Sequence, residues 1–277
     1  MFGETLRNIE KKGPVVHNIT NYVTVNDCAN IVIAAKASPI MSDDAGEVEE
    51  ITAICGALNI NIGTLNANTV PSMFTAGKKS NELGHPVVLD PVGAGASKLR
   101  TETAKGLIEK VKFSVIRGNM SEIKVLATGI GAARGVDVSK DDVVDADGLG
   151  AAVRFAADFS KKTGAVIAIT GATDIVANGE KAYVIKNGHP MMANITGSGC
   201  MLSAMTAAYI AANPDNILEA AAAAVCAMGI CGERAVKRMT ERDGNSSYRN
   251  YLIDEVYNLT PEILDSESKF EIMYFDK

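Results

Sequence analysis

The chain lacks the features that would take it to a membrane, an oxidising compartment or a nucleic acid. No apolar run approaches the ~18 residues that a spanning helix needs. The start, Met1-Phe2-Gly3-Glu4-Thr5-Leu6, does not read as a secretion signal. Positive charge is not in excess: 27 Lys and Arg stand against 33 Asp and Glu, a net charge of −6. That balance sets nucleic-acid binding aside and leaves room only for local cationic sites. The five cysteines, at 28, 55, 200, 226 and 231, are odd in number and include no Cys-x-x-Cys pair. Reduced thiols in the cytoplasm are expected, with no zinc site and no disulfide framework. The three histidines, His17, His85 and His189, are scattered, and none has a partner at metal-ligand spacing. A Gly-x-Ser-x-Gly elbow and a Gly-x4-Gly-Lys-Ser/Thr loop are both missing, which argues against a serine hydrolase and a P-loop enzyme. Gly93 and Gly95 lack the third glycine and the distal acid of a dinucleotide fingerprint, so a nicotinamide enzyme fits poorly.

What is present is an ordinary globular composition, 47% apolar and 22% charged over 277 residues. Linkers, low-complexity tracts and internal repeats do not appear. Short β-branched runs at 15–18, 57–62, 86–90, 114–117 and 165–170 alternate with helical stretches at 23–35, 67–83, 101–110, 121–126, 148–163, 198–212 and 217–239. Runs at 174–178 and 181–185 flank Gly179-Glu180 and read as a hairpin. The alternation predicts an α/β fold, a mostly parallel central sheet with helices on both faces. The alanines at 220–224 suit close helix packing. Ligands of such folds bind beyond the carboxyl ends of the strands. Polar clusters follow five of the runs: Asn18-Ile19-Thr20-Asn21, Asn61-Ile62-Gly63-Thr64, Asp90 through Ser97, Arg117 through Glu122, and Thr170 through Asp174.

The most informative stretch is Asn194-Ile195-Thr196-Gly197-Ser198-Gly199-Cys200, which opens a helix of small residues. A helix start offers free N–H groups and partial positive charge, and so binds anions. Glycine lets the anion approach the backbone closely. The same field is expected to favour a thiolate at Cys200, a candidate base. Asp90 ends the apolar run Val87-Val88-Leu89, where an ionised carboxylate needs a partner, and a cation would serve; a turn before Pro91 is the plainer reading. Asn119 and Glu122 fall on one helix face, spaced either to cap the helix or to hold magnesium. Arg117 suits a phosphate clamp or a surface ion pair, and Thr170 a phosphate contact or a cap on the turn at Gly171. Met41 is read as padding for a flat heterocycle or as core filler.

Together these motifs resemble hydroxyethylthiazole kinases, of the ribokinase-like superfamily. The likeness runs from His17-Asn18-Ile19-Thr20-Asn21 to about Arg238 through Ser38-Pro39-Ile40-Met41, Leu89-Asp90-Pro91-Val92-Gly93-Ala94-Gly95, Arg117-Gly118-Asn119-Met120-Ser121-Glu122 and Thr196-Gly197-Ser198-Gly199-Cys200. The resemblance implies a single ribokinase-like kinase domain over 1–277. It implies ATP-dependent phosphorylation of the hydroxyl of 4-methyl-5-(2-hydroxyethyl)thiazole, with magnesium (Mg2+), in thiamine salvage. Met41, Gly197 and Asn21 are implied at the thiazole, and Arg117, Thr170 and Gly199 at ATP. Asp90 and Glu122 are implied at the metal, and Cys200 stands where the wider superfamily usually has an aspartate base. A cytoplasmic homotrimer with active sites between subunits is also implied. Lys36 departs from the pattern, standing where the family commonly has glycine. A kinase of another small alcohol, such as a hydroxymethylpyrimidine, and a non-catalytic sensor of nucleotide and thiazole remain the alternatives.

Overall fold

The computed structural model of the protein describes residues 2–128 and 146–275. Among the described residues nine strands build one sheet: β1 (Val15–Ile19), β2 (Ser38–Met41), β3 (Ala57–Asn61), β4 (Val87–Asp90), β5 (Val115–Asn119), β6 (Val166–Thr170), β7 (Asp174–Ala177), β8 (Lys181–Ile185) and β9 (Phe270–Tyr274). The helices are α1 (Gly3–Lys12), α2 (Val25–Ala34), α3 (Val48–Ile54), α4 (Thr69–Leu83), α5 (Lys98–Lys110), α6 (Met120–Thr128), α7 (Ala146–Thr163), α8 (Ser198–Ala212), α9 (Ile217–Arg238), α10 (Asn245–Tyr257) and α11 (Pro261–Glu267).

The strands lie in the order β2-β1-β3-β4-β5-β6-β7-β8-β9. Pairs from β2 to β6 are parallel, and β7, β8 and β9 continue antiparallel. The expected α/β class, with a mostly parallel sheet, is what the chain forms. After β1 the order reverses, with β2 added on one side and β3 on the other. That makes the β1–β3 boundary the switch point where α/β sheets open a crevice.

Side-chain alternation along the strands divides the interior into two layers. Val16, Ala57, Val88, Val115 and Val166 pack with α1, α2, α8, α9 and α10 on one face. Ile19, Leu58, Leu89, Ile116 and Ile167 pack with α3 to α7 on the other. Helix α8 is apolar on every side and buried almost throughout, as a helix sandwiched between a sheet and other helices must be. The expected alanine packing is there: Ala220 to Ala224 of α9 are fully buried, and α8 lies against α9, α2 and β3.

Several elements had no clear sequence signal. The α1, α10 and α11 helices are short or polar-faced, and β2 and β9 are the two sheet edges. Lys36 takes φ 65°, the only non-glycine with positive φ among the described residues. That left-handed conformation is one that glycine adopts without strain, as the resemblance led one to expect at this position. The lysine does not face free solvent; its ammonium stands 3.2 Å over the ring centroid of Tyr257 in α10. A cation–π contact thus offsets part of the backbone cost.

Candidate active site

The parity that packs the core also assembles the site. Continuing the same register, Asn59 and Asn61 on β3, Asp90 on β4, Arg117 on β5 and Thr170 on β6 project at the carboxyl ends of the strands on the α8 side. Asp90 is fully buried, and its Oδ2 gathers three partners. Ser203 Oγ donates at 2.8 Å, Asn61 Nδ2 at 2.9 Å and Arg117 Nη1 at 3.4 Å. Arg117 also reaches Ser203 Oγ and, through Nη2, Thr170 Oγ1, each at 3.4 Å. Thr170 therefore braces the guanidinium, and the turn at Gly171 is held instead by Asp174, whose Oδ1 accepts from the Gly171 N–H at 2.9 Å.

Helix α8 begins against this cluster. Gly197 is its N-cap at φ 83°, with the Thr24 methyl where a Cβ would stand. Two residues on, a Cβ at Gly199 would lie 2.6 Å from Arg117 Nη1 and 2.7 Å from Nη2. Glycine at 199 admits the guanidinium to the helix start, and glycine at 197 admits the Thr24 methyl beneath the cap. The free N–H groups of the first turn and the guanidinium are all positive, so together they form a well for an anion. The Cys200 side chain follows on the same turn, and Asn21 Nδ2 donates to its Sγ at 3.2 Å.

Burial pushes the Cys200 thiol above its ordinary value, and the Asp90 carboxylate adds to this; Arg117 and the side chains of Thr24 and Asn61 act the other way. The expected thiolate at Cys200 is corrected here: burial, with the Asp90 charge, favours the thiol. The other four cysteines are buried and free. Burial drives the thiols of Cys28, Cys55 and Cys226 up to about 12, 11 and 12, as inert structural thiols.

Asn119 and Glu122 form the reciprocal cap that their spacing allows. Glu122 N–H donates to Asn119 Oδ1 at 2.8 Å, and Asn119 N–H donates to Glu122 Oε2 at 2.9 Å. Glu122 Oε1 meanwhile accepts from the Gly93 N–H at 2.8 Å, tying the glycine loop after β4 to the cap. Burial first, then the Asp90 charge, pushes the Glu122 carboxyl up, while the Gly93 and Asn119 N–H groups hold it down. The metal reading can be tested on these atoms. Asp90 Oδ1 is buried with no hydrogen-bond partner among the described residues. Together with a second carboxylate repelled by the first, it suits a divalent cation. Among the described residues no group of three or more His, Cys, Asp or Glu could cage a metal. Two carboxylates with one free oxygen suit a hydrated divalent cation such as magnesium.

Met41, at the end of β2, is half-buried against the core layer that includes Cys200, with no polar tie to the cluster. Its turn is anchored by buried His17, whose Nε2 lies 2.9 Å from the Ser42 carbonyl and whose Nδ1 lies 3.0 Å from Thr52 Oγ1. Of the residues expected at the site, Asp90, Arg117, Thr170 and Gly199 meet directly, Asn21 meets Cys200 and joins Asp90 through Asn61, Gly197 joins through Thr24, and Glu122 is near enough for its charge to act on Asp90 and Arg117. Sequence reasoning leaves out Thr24, Asn61 and Ser203. Asn61 lies inside a polar strand-end cluster and so carried a signal; Thr24 and Ser203 sit within helical patterns and carried none. No helix among the described residues is long and apolar enough to cross a membrane.

Comparison with known proteins gives the family. The hydroxyethylthiazole kinase family model matches residues 6–262. The chain is 65% identical over 271 residues to the hydroxyethylthiazole kinase of Clostridium acetobutylicum, covering 98% of this chain and 99% of that one. A solved hydroxyethylthiazole kinase from Pyrococcus horikoshii superposes with a TM-score of 0.87 at 32% identity, over 98% of both chains. A ribokinase-like superfamily protein from Enterococcus faecalis, at 12% identity and TM-score 0.59 over 92% of this chain and 89% of that one, shares the fold. The chain belongs to the hydroxyethylthiazole kinase family.

Proposed function

We propose that this chain transfers the terminal phosphoryl group of ATP to the primary hydroxyl of 4-methyl-5-(2-hydroxyethyl)thiazole, a salvage step toward thiamine, as one kinase domain over 1–277. The reading rests on the family, and one geometric observation carries it: the Arg117 guanidinium lies against Gly199 at the first turn of α8. Phosphoryl transfer asks mainly for positioning and for neutralising charge. Backbone N–H groups from Gly197 to Cys200 receive the oxygens of the transferred group, and Arg117, braced by Thr170, faces them from the strand side.

Magnesium, when bound, neutralises the nucleotide phosphates; Asp90 and Glu122 are the residues that would serve it. The substrate oxygen forms its bond to the terminal phosphorus as the bridging bond breaks and ADP leaves. The hydroxyl proton passes to Cys200 in its thiolate form, which burial and Asp90 disfavour and which Arg117 and the Thr24 and Asn61 side chains partly recover. In a loose transition state that proton leaves late, so the base adds a modest factor. Met41, Gly197 and Asn21 stand on the thiazole side, and Arg117, Thr170 and Gly199 on the ATP side. Tyr22 and Val23, next to Asn21, are 77% and 57% exposed. Their exposure, with the open edge of β2, supports a homotrimer whose sites lie between subunits. Five free thiols support a cytoplasmic enzyme.

Mass spectrometry after incubation with ATP, magnesium and a panel of thiazole and pyrimidine alcohols tests the reading. The expected result is a single phosphorylated product, from the thiazole alcohol, with equal ADP. Phosphorylation of a pyrimidine alcohol in its place, or binding without ADP, would contradict it.

A further inference from the structure

The hydrogen-bond inventory around Cys200 fixes the orientation of two carboxamides without ambiguity. Asp90 Oδ2 already accepts from Ser203 and Arg117, and a carboxylate only accepts, so Asn61 turns its Nδ2 toward it at 2.9 Å. Asn61 Oδ1 then accepts from the Gly63 N–H at 2.9 Å and from Asn21 Nδ2 at 3.0 Å. On the other side, Asn21 Oδ1 accepts from the Thr24 N–H and the Thr24 hydroxyl, both at 3.1 Å. Each amide oxygen has two donors, so neither amide can flip without breaking several bonds. The consequence falls on the sulphur. The Asn21 Nδ2 that serves Asn61 also points at Cys200 Sγ, 3.2 Å away. Asn21, Thr24 and Asn61 are all buried, so water does not compete for these bonds. Gly63 leaves the necessary room: a Cβ there would stand 2.9 Å from Asn21 Cβ and 3.0 Å from Asn61 Oδ1.

We infer that Thr24 and Asn61 are positioning residues that lock the Asn21 carboxamide with an N–H directed at the Cys200 sulphur. The inference rests on the reading of Cys200 as the proton acceptor. A fixed donor favours sulphur carrying negative charge over the thiol and aims the remaining lone pairs away from Asn21. It works against burial and the Asp90 carboxylate, while Arg117 and the Thr24 and Asn61 side chains themselves work with it; Cys28 is the other thiol nearby. Thr24 packs its methyl under Gly197 and, among the described residues, makes no hydrogen bond to Asp90 or Arg117, so the hydroxyl is the part that Thr24→Val removes. Its hydroxyl proton is given to Asn21, which leaves its oxygen to face Cys28 Sγ at 3.7 Å.

A double-mutant cycle in the full-length enzyme, read as kcat and KM for both substrates, tests this. Thr24→Val keeps the shape beneath Gly197 and removes the hydroxyl, and Thr24→Ser keeps the hydroxyl. Thr24→Val is expected to lower kcat about fivefold with both KM values unchanged, the size of one lost hydrogen bond. Thr24→Ser should restore most of it, and in a Cys200→Ala background Thr24→Val should cost nothing further. Asn61→Ala removes the acceptor on the nitrogen side and also the bond to Asp90 Oδ2, so as the second arm it is read by coupling: part of its kcat loss should disappear in the Cys200→Ala background, and the remainder reports Asp90. An equal loss in the presence and absence of the thiol, or full activity in Thr24→Val and Asn61→Ala, would overturn the positioning role while leaving Cys200 as base. A Cys200→Ala enzyme with native kcat would instead remove the base, and the positioning role with it.

Discussion

The Arg117 guanidinium and the Gly199 backbone occupy adjoining space, so close that a Cβ at 199 would lie 2.6 Å from Nη1. Two centres of positive charge meet there, which a folded protein tolerates only with an anion in reserve. Asp90 supplies part of that compensation, through a buried ion pair at 3.4 Å, and in the proposed function the nucleotide supplies the rest. Gly199→Ala should therefore displace the guanidinium and deform the phosphate well. The expected outcome is a rise of tenfold or more in KM for ATP with a fall in kcat, on the order of the loss of one oxyanion donor, while the KM for the thiazole alcohol stays near native. Steady-state kinetics with each substrate varied separately would show it.

Cys200→Ala should slow turnover by roughly 10- to 100-fold without abolishing it, because the anion well and the bound metal stay intact. KM for ATP should not move. Single-turnover kinetics would locate the loss in the chemical step.

Glu122 works twice, once in the cap of α6 and once on the Gly93 N–H. Glu122→Gln keeps the shape and one acceptor oxygen but removes the charge. The magnesium concentration for half-maximal rate should rise at least about tenfold, consistent with the loss of a charged ligand. Titration of activity with magnesium at saturating ATP checks this, and unchanged magnesium dependence would assign Glu122 to the loop alone.

Asp174, beside Gly171, has its carboxyl pushed up to about 7 by burial, against the pull of the Gly171 N–H and Arg117. Its ordinary value is 3.8, so between 3.8 and about 7 the folded chain holds a proton that the unfolded chain releases. Stability from this group is thus full below 3.8 and falls as pH climbs through the window to about 7. Asp174→Asn keeps an oxygen for the Gly171 N–H and removes the charge. Thermal denaturation should show the variant more stable than native at pH 8 and equal to it near pH 4.

Lys36 joins a strained backbone to a ring contact with Tyr257. Lys36→Ala keeps the left-handed strain and loses the cation, so unfolding should become easier by about 0.5–1 kcal/mol. Lys36→Gly loses the same contact but relieves strain worth about 1–2 kcal/mol. It should denature at or above the native temperature in urea or heat melts.

The fold was legible because its signals are local. The β-branched runs and the α8 pattern stand where Ser198–Ala212 and the central strands form. The edge strand β2 contains Pro39 and is only four residues long, and β9 is half-exposed, so neither carries a core-strand signature. Much of the site was legible as well, since Asn21, Asp90, Arg117, Thr170 and Gly199 stand at strand ends or at a glycine-rich helix start. What escaped was decided by tertiary contact. Ser203 reaches Asp90 across 113 positions, and Asn61 reaches Asp90 across 29. The balance at Cys200 escaped for the same reason: its burial and the Asp90 charge come from distant segments that only the folded sheet brings together.

The most direct measurement is a crystal structure with a non-hydrolysable ATP analogue, magnesium and the thiazole alcohol. The terminal phosphate should accept from the N–H groups of residues 198–200, with the Arg117 guanidinium on its far side and the alcohol oxygen next to Cys200 Sγ. A terminal phosphate bound elsewhere, with Arg117 still closed over Gly199, would contradict the proposed site.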